Sequence, residues 1–409
     1  NQEMATRALR VLAFADQELE HQKAEEIEKD KNGIIEKNYT FLGFAGMSDP
    51  PREGVAEAIQ EAQTAGIRVI MLTGDQVMTA RAVANQLQLN KNKEIIALHS
   101  SDISDVRGEN LANIVRQTDV FARVSPEDKL RIVEALQQTG EIVAVTGDGV
   151  NDAPALERSD IGIAMGERGT EVAKEAADVV LTDDNFSTIV KAIESGRTIY
   201  TNIIKFVHFL FTSNLAEVLV IFVAIMLGLP LPLLPLQILW INLVTDVFPA
   251  FALSVEPSTP ETMQQPPRSP TEALISGHFL ILIGWQGTIL ATIALGAYLW
   301  ALSQYGEGAH SHTIALLAVV GVQLGQLFNC RSRSSSAFRR IFHNPFVFLA
   351  AASVILLQIL AVNFPPLMRI LDTVEPNMND WLITLLSIIL PILIVEIAKF
   401  LVGRNKSTN

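Results

Sequence analysis

Along this chain the spacing of apolar positions changes character once. Up to about Lys205, apolar residues come in short runs broken by polar ones; beyond it, apolar runs of span length recur. A helix rising 1.5 Å per residue needs about 20 such residues to cross a bilayer core. The pattern therefore predicts six membrane spans, at roughly 206–227, 233–253, 279–301, 313–330, 345–362 and 381–402. Residues 199–205 hold no helix breaker, so the first span should continue a helix that begins before it. The earlier part predicts strands at 39–46, 67–72, 119–122, 141–145, 161–164 and 179–181. Helices are expected over 51–65, 77–87 and 125–138. Such alternation implies a parallel sheet covered on both faces. Residues 1–38 fit that plan poorly and read as the end of a different domain, with 17–37 as a charged loop. The expected organisation is thus a remnant over 1–38, an α/β domain over 39–198 and a membrane domain over 199–409.

Charge sharpens the division. The residues through Lys205 carry 22 Lys and Arg against 34 Asp and Glu, whereas the remainder carries nine against ten. An acidic globular part joined to a nearly neutral membrane part excludes a purely soluble enzyme. It also argues against nucleic acid as a partner, since that needs a basic footprint. A single cysteine, Cys330, excludes an internal disulfide framework and a multi-thiolate metal site, and reads as a buried thiol. The first 20 residues lack the basic start and apolar core of a signal peptide. With no initiating Met, the chain is expected to be a piece of a longer protein. Arg331, Arg333, Arg339 and Arg340 follow the fourth span. The positive-inside bias assigns that loop, and with it both ends of the membrane part, to the cytoplasmic side.

Candidate chemistry concentrates at two strand ends that share a tripeptide, Thr73-Gly74-Asp75 and Thr146-Gly147-Asp148. In parallel α/β sheets ligands bind beyond the carboxyl ends of the strands. Glycine there lets the backbone approach a phosphate, and threonine hydroxyls can bond its oxygens. A plain strand-to-helix turn uses the same residues, so either tripeptide alone is a weak signal. The second continues through Asn151 and Asp152 to Pro154. Asp148, Asn151 and Asp152 are spaced to face one hard cation, and Mg²⁺ takes one or two carboxylates with phosphate and water oxygens. The same spacing suits a capped turn with Asp152 at the cap and Pro154 in the first helical turn. Lys129, near the start of a predicted helix, offers a point charge to a phosphoryl group, or is a solvated lysine.

Within the spans, ionisable groups are expensive and mark candidate sites. Asn214 and Glu217 lie three apart on one face of the first; Asn242, Thr245 and Asp246 share a face of the second. A helix broken near Pro249 would free carbonyls as further ligands. This oxygen set suits a hard cation such as Ca²⁺ or Na⁺. Polar contacts between helices are the other reading, and they suit Gln358 and the Glu396/Lys399 pair better than two carboxylates. His310 and His312 read as solvated.

Four segments, Asp49-Pro50-Pro51-Arg52, Met71–Asp75, Phe121–Pro126 and Thr146–Pro154, occur in the order and spacing found in P-type cation ATPases. The chain resembles the C-terminal portion of a type II, calcium-pump-like member over nearly its whole length. That resemblance implies an α/β haloacid-dehalogenase-like phosphorylation domain with a Rossmann-type parallel sheet, then an all-α membrane domain of six helices. It implies ATP as substrate and Mg²⁺ as cofactor, with Asp148 and Asp152 at the metal and Asn151 completing the cluster. Lys129 would steady the transferring phosphoryl group, with Thr73, Gly74 and Asp75 beside it. Arg10, Arg52 and Arg123 would join Thr73–Asp75, Lys129 and Asn151 at the nucleotide. Asn214, Glu217, Asn242, Thr245, Asp246 and Gln323 would bind the transported cation. Gln323 stands where two-site calcium pumps carry a glutamate, so one Ca²⁺ is the expectation, with Na⁺ the alternative. The family's Asp-Lys-Thr-Gly-Thr nucleophile string does not occur here. Nor do the actuator domain, the first four membrane helices and most of the nucleotide domain, so the fragment alone should be inactive. The implied partners are the cation, the bilayer and the remaining part of the same pump; a monomer in the plasma membrane is expected, its soluble half cytoplasmic. A membrane-anchored phosphatase of the haloacid-dehalogenase type is the competing reading, but it needs an Asp-x-Asp nucleophile that the sequence lacks.

Overall fold

The computed structural model describes residues 2–5, 9–17, 39–47, 50–91, 93–332 and 341–406. Asp49, Arg333, Arg339, Arg340 and nearly all of the 17–37 loop lie outside the described residues. The chain divides into two compact units, one comprising residues 1–193 with 263–270, the other residues 194–262 with 271–409.

The first unit opens with an antiparallel ribbon, β1 (Arg10–Asp16) paired with β2 (Thr40–Met47) in a register from Arg10↔Met47 to Asp16↔Thr40. Residues 10–16 therefore share a sheet with residues 40–47. Two parallel three-stranded sheets follow. β3 (Met71–Thr73), β4 (Ala97–His99) and β5 (Val120–Ala122) lie in the order β3-β5-β4. β6 (Ala144–Gly147), β7 (Ile161–Met165) and β8 (Val179–Leu181) lie in sequence order. The central β5 is buried at every position, as an apolar strand covered on both faces should be. Helices α1 (Val55–Thr64) and α2 (Val77–Gln86) bury small residues, Ala58 and Ala62, Ala80 and Ala84, four apart on one face each.

The strand expected over 67–72 pairs only from Met71, because Gly66 turns the chain in a left-handed conformation (φ 74°) and the ladder to Val120 starts five residues later. The sequence reading passed over β4 and α3 (Gly108–Gln117). Three paired residues are too few to show a period, and α3 buries only Leu111, Ala112 and Val115. α4 (Pro126–Gln138) starts where expected. Ser125 caps it by accepting from the Asp128 N–H, and Asp128 returns a bond to the Ser125 N–H.

The second unit is helical, and among the described residues six helices are long and apolar enough to cross a membrane. α5 (Ala153–Arg158) and α6 (Glu171–Ala176) belong to the first unit. α7 (Phe186–Met226) runs unbroken for 41 residues, about 60 Å at helical rise, so the first span does continue the helix before it. α10 (Gly277–Tyr305), α11 (Ala309–Cys330), α12 (Pro345–Asn363) and α14 (Met378–Lys406) supply four more spans, with the short α13 (Pro365–Leu371) between the last two. α11 is buried almost throughout. It packs on α14 through Gly325, where a Cβ would sit 2.4 Å from the Ile388 carbonyl, the small-residue contact that lets membrane helices approach.

The second span departs from expectation. Its break is not at Pro249 but upstream, where a π-turn over Asn242–Asp246 joins α8 (Pro235–Ile241) to α9 (Val247–Ser254). Pro249 has no N–H for the Thr245 carbonyl four residues back, and the backbone widens in that preceding turn. Three further expectations are corrected. His310, expected in solvent, stacks on Tyr305 at 3.8 Å and meets the fully buried Asp380 at 2.9 Å, while Nδ1 of His312 is buried. Gln358 makes no interhelical bond; both its amide atoms are buried without a partner among the described residues. Lys399 pairs with Glu396 along their own helix, at 3.0 Å. Cys330 is buried and free, as expected.

Candidate functional site

In the first unit the two Thr-Gly-Asp turns cap the carboxyl ends of β3 and β6, each an edge strand among the described residues. Thr73 Oγ1 accepts from the Asp75 N–H at 3.1 Å, which curls the first turn. The segment after β5 is stitched to it, with Val124 N–H donating to the Thr73 carbonyl and Arg123 N–H to the Asp75 carbonyl, both at 3.1 Å. Arg123 takes φ +55° to do so and leaves its side chain exposed. This stitching sets the start of α4, and so the root of Lys129.

Lys129 Nζ lies 2.5 Å from Oδ1 of Asp152. Asp152 is buried, and its other oxygen accepts the N–H groups of Asp148 (3.2 Å) and Gly149 (3.1 Å). A Cβ at Gly147 would lie 2.4 Å from that of Asp152, so only glycine permits this closeness. Lys129, Asp148 and Asp152 are therefore one connected group, while Thr73 is bonded to Val124, five residues before Lys129 in the chain. Asp148 and Asn151 are exposed. Asp152 holds the turn and the lysine, so the open oxygens are those of Asp148 and Asn151. One carboxylate and one amide, completed by water and phosphate, match the donor set Mg²⁺ accepts. Among the described residues no three acidic, histidine or cysteine side chains gather as a self-sufficient metal cage.

The predicted arginines separate. Arg52 Nη1 donates to the Asp184 carbonyl at 2.5 Å, Arg123 reaches the Asp75 turn through its backbone, and the Arg10 side chain lies outside the described residues. Sequence reading missed Asp184 and Asp128. Asp128 accepts hydroxyl bonds from Ser125 (2.7 Å) and Ser100, and Arg131 lies 3.2 Å away. Burial pushes its carboxyl up, but the Ser100 and Ser125 bonds and the Arg131 charge outweigh it and hold the group below its ordinary range. The Ser125–Asp128 spacing was the available signal.

The second unit gathers a different set. Glu217 on α7 is buried, and Oε1 accepts from Gln323 Nε2 of α11 at 2.6 Å. Asp246, at the end of the π-turn, is within electrostatic reach of Glu217. Thr245 is buried and bonds the Ile241 carbonyl at 2.7 Å. Three acceptor oxygens, Gln323 Oε1, Asn242 Oδ1 and Asp246 Oδ1, are buried without a protein partner among the described residues. Asn214 stands apart, exposed and turned back onto the Leu210 carbonyl at 2.9 Å. Buried acceptors without donors are rare because each forfeits its hydration. A cation is one of the species that would satisfy such oxygens.

Comparison with known proteins agrees with both halves. A family profile described as cation transporting ATPase, C-terminus, matches residues 230–401, and one described as haloacid dehalogenase-like hydrolase matches residues 3–160. A calcium-transporting ATPase of Bacillus subtilis is 42% identical over 93% of this chain and 42% of its own length. Calcium-transporting ATPase 1 of Bacillus cereus is 41% identical over 97% of the chain and 46% of its own. The probable cation-transporting ATPase F of Mycobacterium tuberculosis is 41% identical over 86% and 39%. The chain thus spans less than half the length of these relatives.

Proposed function

Because this chain belongs to the P-type cation-transporting ATPases, we propose that it is part of an ATP-driven pump that moves Ca²⁺ across a membrane. The observation that carries the reading is that Gln323 Oε1, Asn242 Oδ1 and Asp246 Oδ1 are buried without a protein partner among the described residues, with Gln323 bonded to the buried Glu217. Asn242, Thr245, Asp246, Glu217 and Gln323 bind the ion. Asn214 joins them only after turning from the Leu210 carbonyl. With Gln323 neutral, two carboxylates balance one divalent cation. The names of the Bacillus relatives favour calcium; a monovalent ion such as Na⁺ is the second reading, favoured by that same neutral side chain.

In the first unit, Asp148 and Asn151 hold Mg²⁺, which when bound neutralises phosphate charge. Lys129 is held by Asp152 at the place where a phosphoryl group would arrive, and stabilises charge developing there. Thr73, Gly74 and Asp75 border the phosphate, with Arg52, Arg123 and Arg10 toward the nucleotide. The phosphorylated aspartate lies outside this chain, so the chain alone does not complete the cycle. Among the described residues β3 and β6 each have an unpaired edge, where its strand would add. The pump resides in the plasma membrane with its first unit cytoplasmic. Phosphoenzyme formation in the full-length protein, titrated separately with Ca²⁺, Na⁺ and Mn²⁺, tests the reading. Dependence on Ca²⁺ in the micromolar range is expected, and phosphorylation indifferent to Ca²⁺ would overturn it.

A further inference from the structure

Asp184 follows β8 and is buried, yet it takes no part in the cluster described above. Its neighbour Asp183 does ordinary local work, accepting the Asn185 N–H and the Thr188 hydroxyl within its own turn. Asp184 instead reaches a different loop, the one after β7. Its Oδ1 accepts the N–H groups of Gly166 (2.6 Å) and Glu167 (3.1 Å), and its Oδ2 that of Arg168 (3.0 Å). To do so it adopts φ +47°, a left-handed conformation that aspartate tolerates better than most residues. The loop is shaped around this grip. A Cβ on Gly166 would lie 2.6 Å from the Leu181 carbonyl, and one on Gly169 would collide with that of Met165. Burial raises the Asp184 carboxyl, but the three N–H bonds and the Arg52 charge more than offset it and hold the group below its ordinary range.

The loop ends at Thr170, whose N–H donates to the Asp148 carbonyl at 2.9 Å while its hydroxyl oxygen caps α6. A continuous path of bonds therefore runs from Asp184 through residues 166–170 to Asp148. We infer that Asp184 is a positioning residue for the phosphoryl-transfer cluster, fixing the backbone from which Asp148 presents its carboxylate to Mg²⁺. This rests on the reading of Asp148 as the metal-holding side chain. Outer groups that orient a ligand commonly alter metal affinity about 10- to 100-fold when removed.

The test is Mn²⁺ binding to the full-length pump, followed by electron paramagnetic resonance as a stand-in for Mg²⁺, together with amide hydrogen exchange across residues 166–170. Asp184→Ala should weaken Mn²⁺ binding at least tenfold and speed exchange in the loop, with affinity for a non-hydrolysable ATP analogue kept. Asp184→Asn keeps the Oδ1 bonds and loses the one to Arg168, so it should fall between. Thr170→Pro leaves Asp184 intact but deletes the N–H to Asp148, and φ at Thr170 is already −66°. It should weaken Mn²⁺ binding as Asp184→Ala does, and it decides the matter if the alanine variant fails to fold. Unchanged Mn²⁺ affinity in Asp184→Ala or Thr170→Pro overturns the inference. Asp148→Asn separates the two claims. If it too leaves Mn²⁺ binding unmoved, the metal reading has failed; if it alone weakens binding, only the positioning role has.

Discussion

Gln323 and Glu217, both buried, meet across two membrane helices, the glutamine amide donating to the carboxylate at 2.6 Å. The donor compensates a carboxylate that burial would otherwise leave bare. Gln323→Leu should therefore destabilise the cation-free protein by about 1–3 kcal/mol, and Ca²⁺ should add less stability than in wild type because the variant also lacks an oxygen proposed to hold the ion. Thermal unfolding in detergent with and without Ca²⁺ checks this: no loss without Ca²⁺ would count against the pairing as described, and an equal loss in both conditions against Gln323 as a ligand.

Glu217→Gln and Asp246→Asn each remove one of the two carboxylates proposed to hold the cation. Each should raise the Ca²⁺ needed for half-maximal phosphorylation by at least about tenfold, equivalent to about 1.4 kcal/mol. Nucleotide binding should be unaffected. An unshifted calcium titration in both variants would remove these residues from the transport site.

Lys129→Met takes the charge from beside Asp152, where the ion pair measures 2.5 Å. The phosphorylation rate should fall about 10²–10³-fold, the scale seen when one preorganised charge-stabilising group is lost. A rate within threefold of wild type in rapid-quench measurements would show that the ammonium does not face the phosphoryl group.

The Asp128 carboxyl is held below its ordinary range in the fold. Its stabilising contribution is thus present above the usual carboxylate pKa of about 4 and is lost as pH falls through the depressed value. Asp128→Ala should lower stability by about 1 kcal/mol near neutral pH, the scale of a lost helix cap, and the deficit should fade in acid. A deficit independent of pH would mean that packing, not charge, is what the variant removes.

At the end of α11, Arg331 donates to Glu256 at 2.9 Å, both side chains buried, and Asn344 donates to the other Glu256 oxygen at 2.7 Å. Arg331→Met strands a buried carboxylate and should cost about 3–5 kcal/mol. The double variant Glu256→Gln, Arg331→Met should recover a substantial part. Unfolding temperatures of the three proteins decide it, and a double variant no better than the single would refute the pairing energetics.

Hydrophobic periodicity alone determined the division into an α/β part and six spans, because span length and strand alternation are properties of consecutive residues. The Thr-Gly-Asp turns, Lys129 and the two membrane carboxylates were likewise legible, since strand ends and apolar runs leave few places for them. Tertiary structure decided what those residues touch. That Asp152 grips Lys129, that Gln323 leans on Glu217, that His310 is bound to Asp380, and that Asp184 holds a loop 16–18 residues earlier are contacts between separate segments. No local pattern encodes them. The π-turn at Asn242–Asp246 is the intermediate case: Pro249 announced a disturbed helix, but the form and place of the disturbance, a widened turn upstream of the proline, were visible only in the structure.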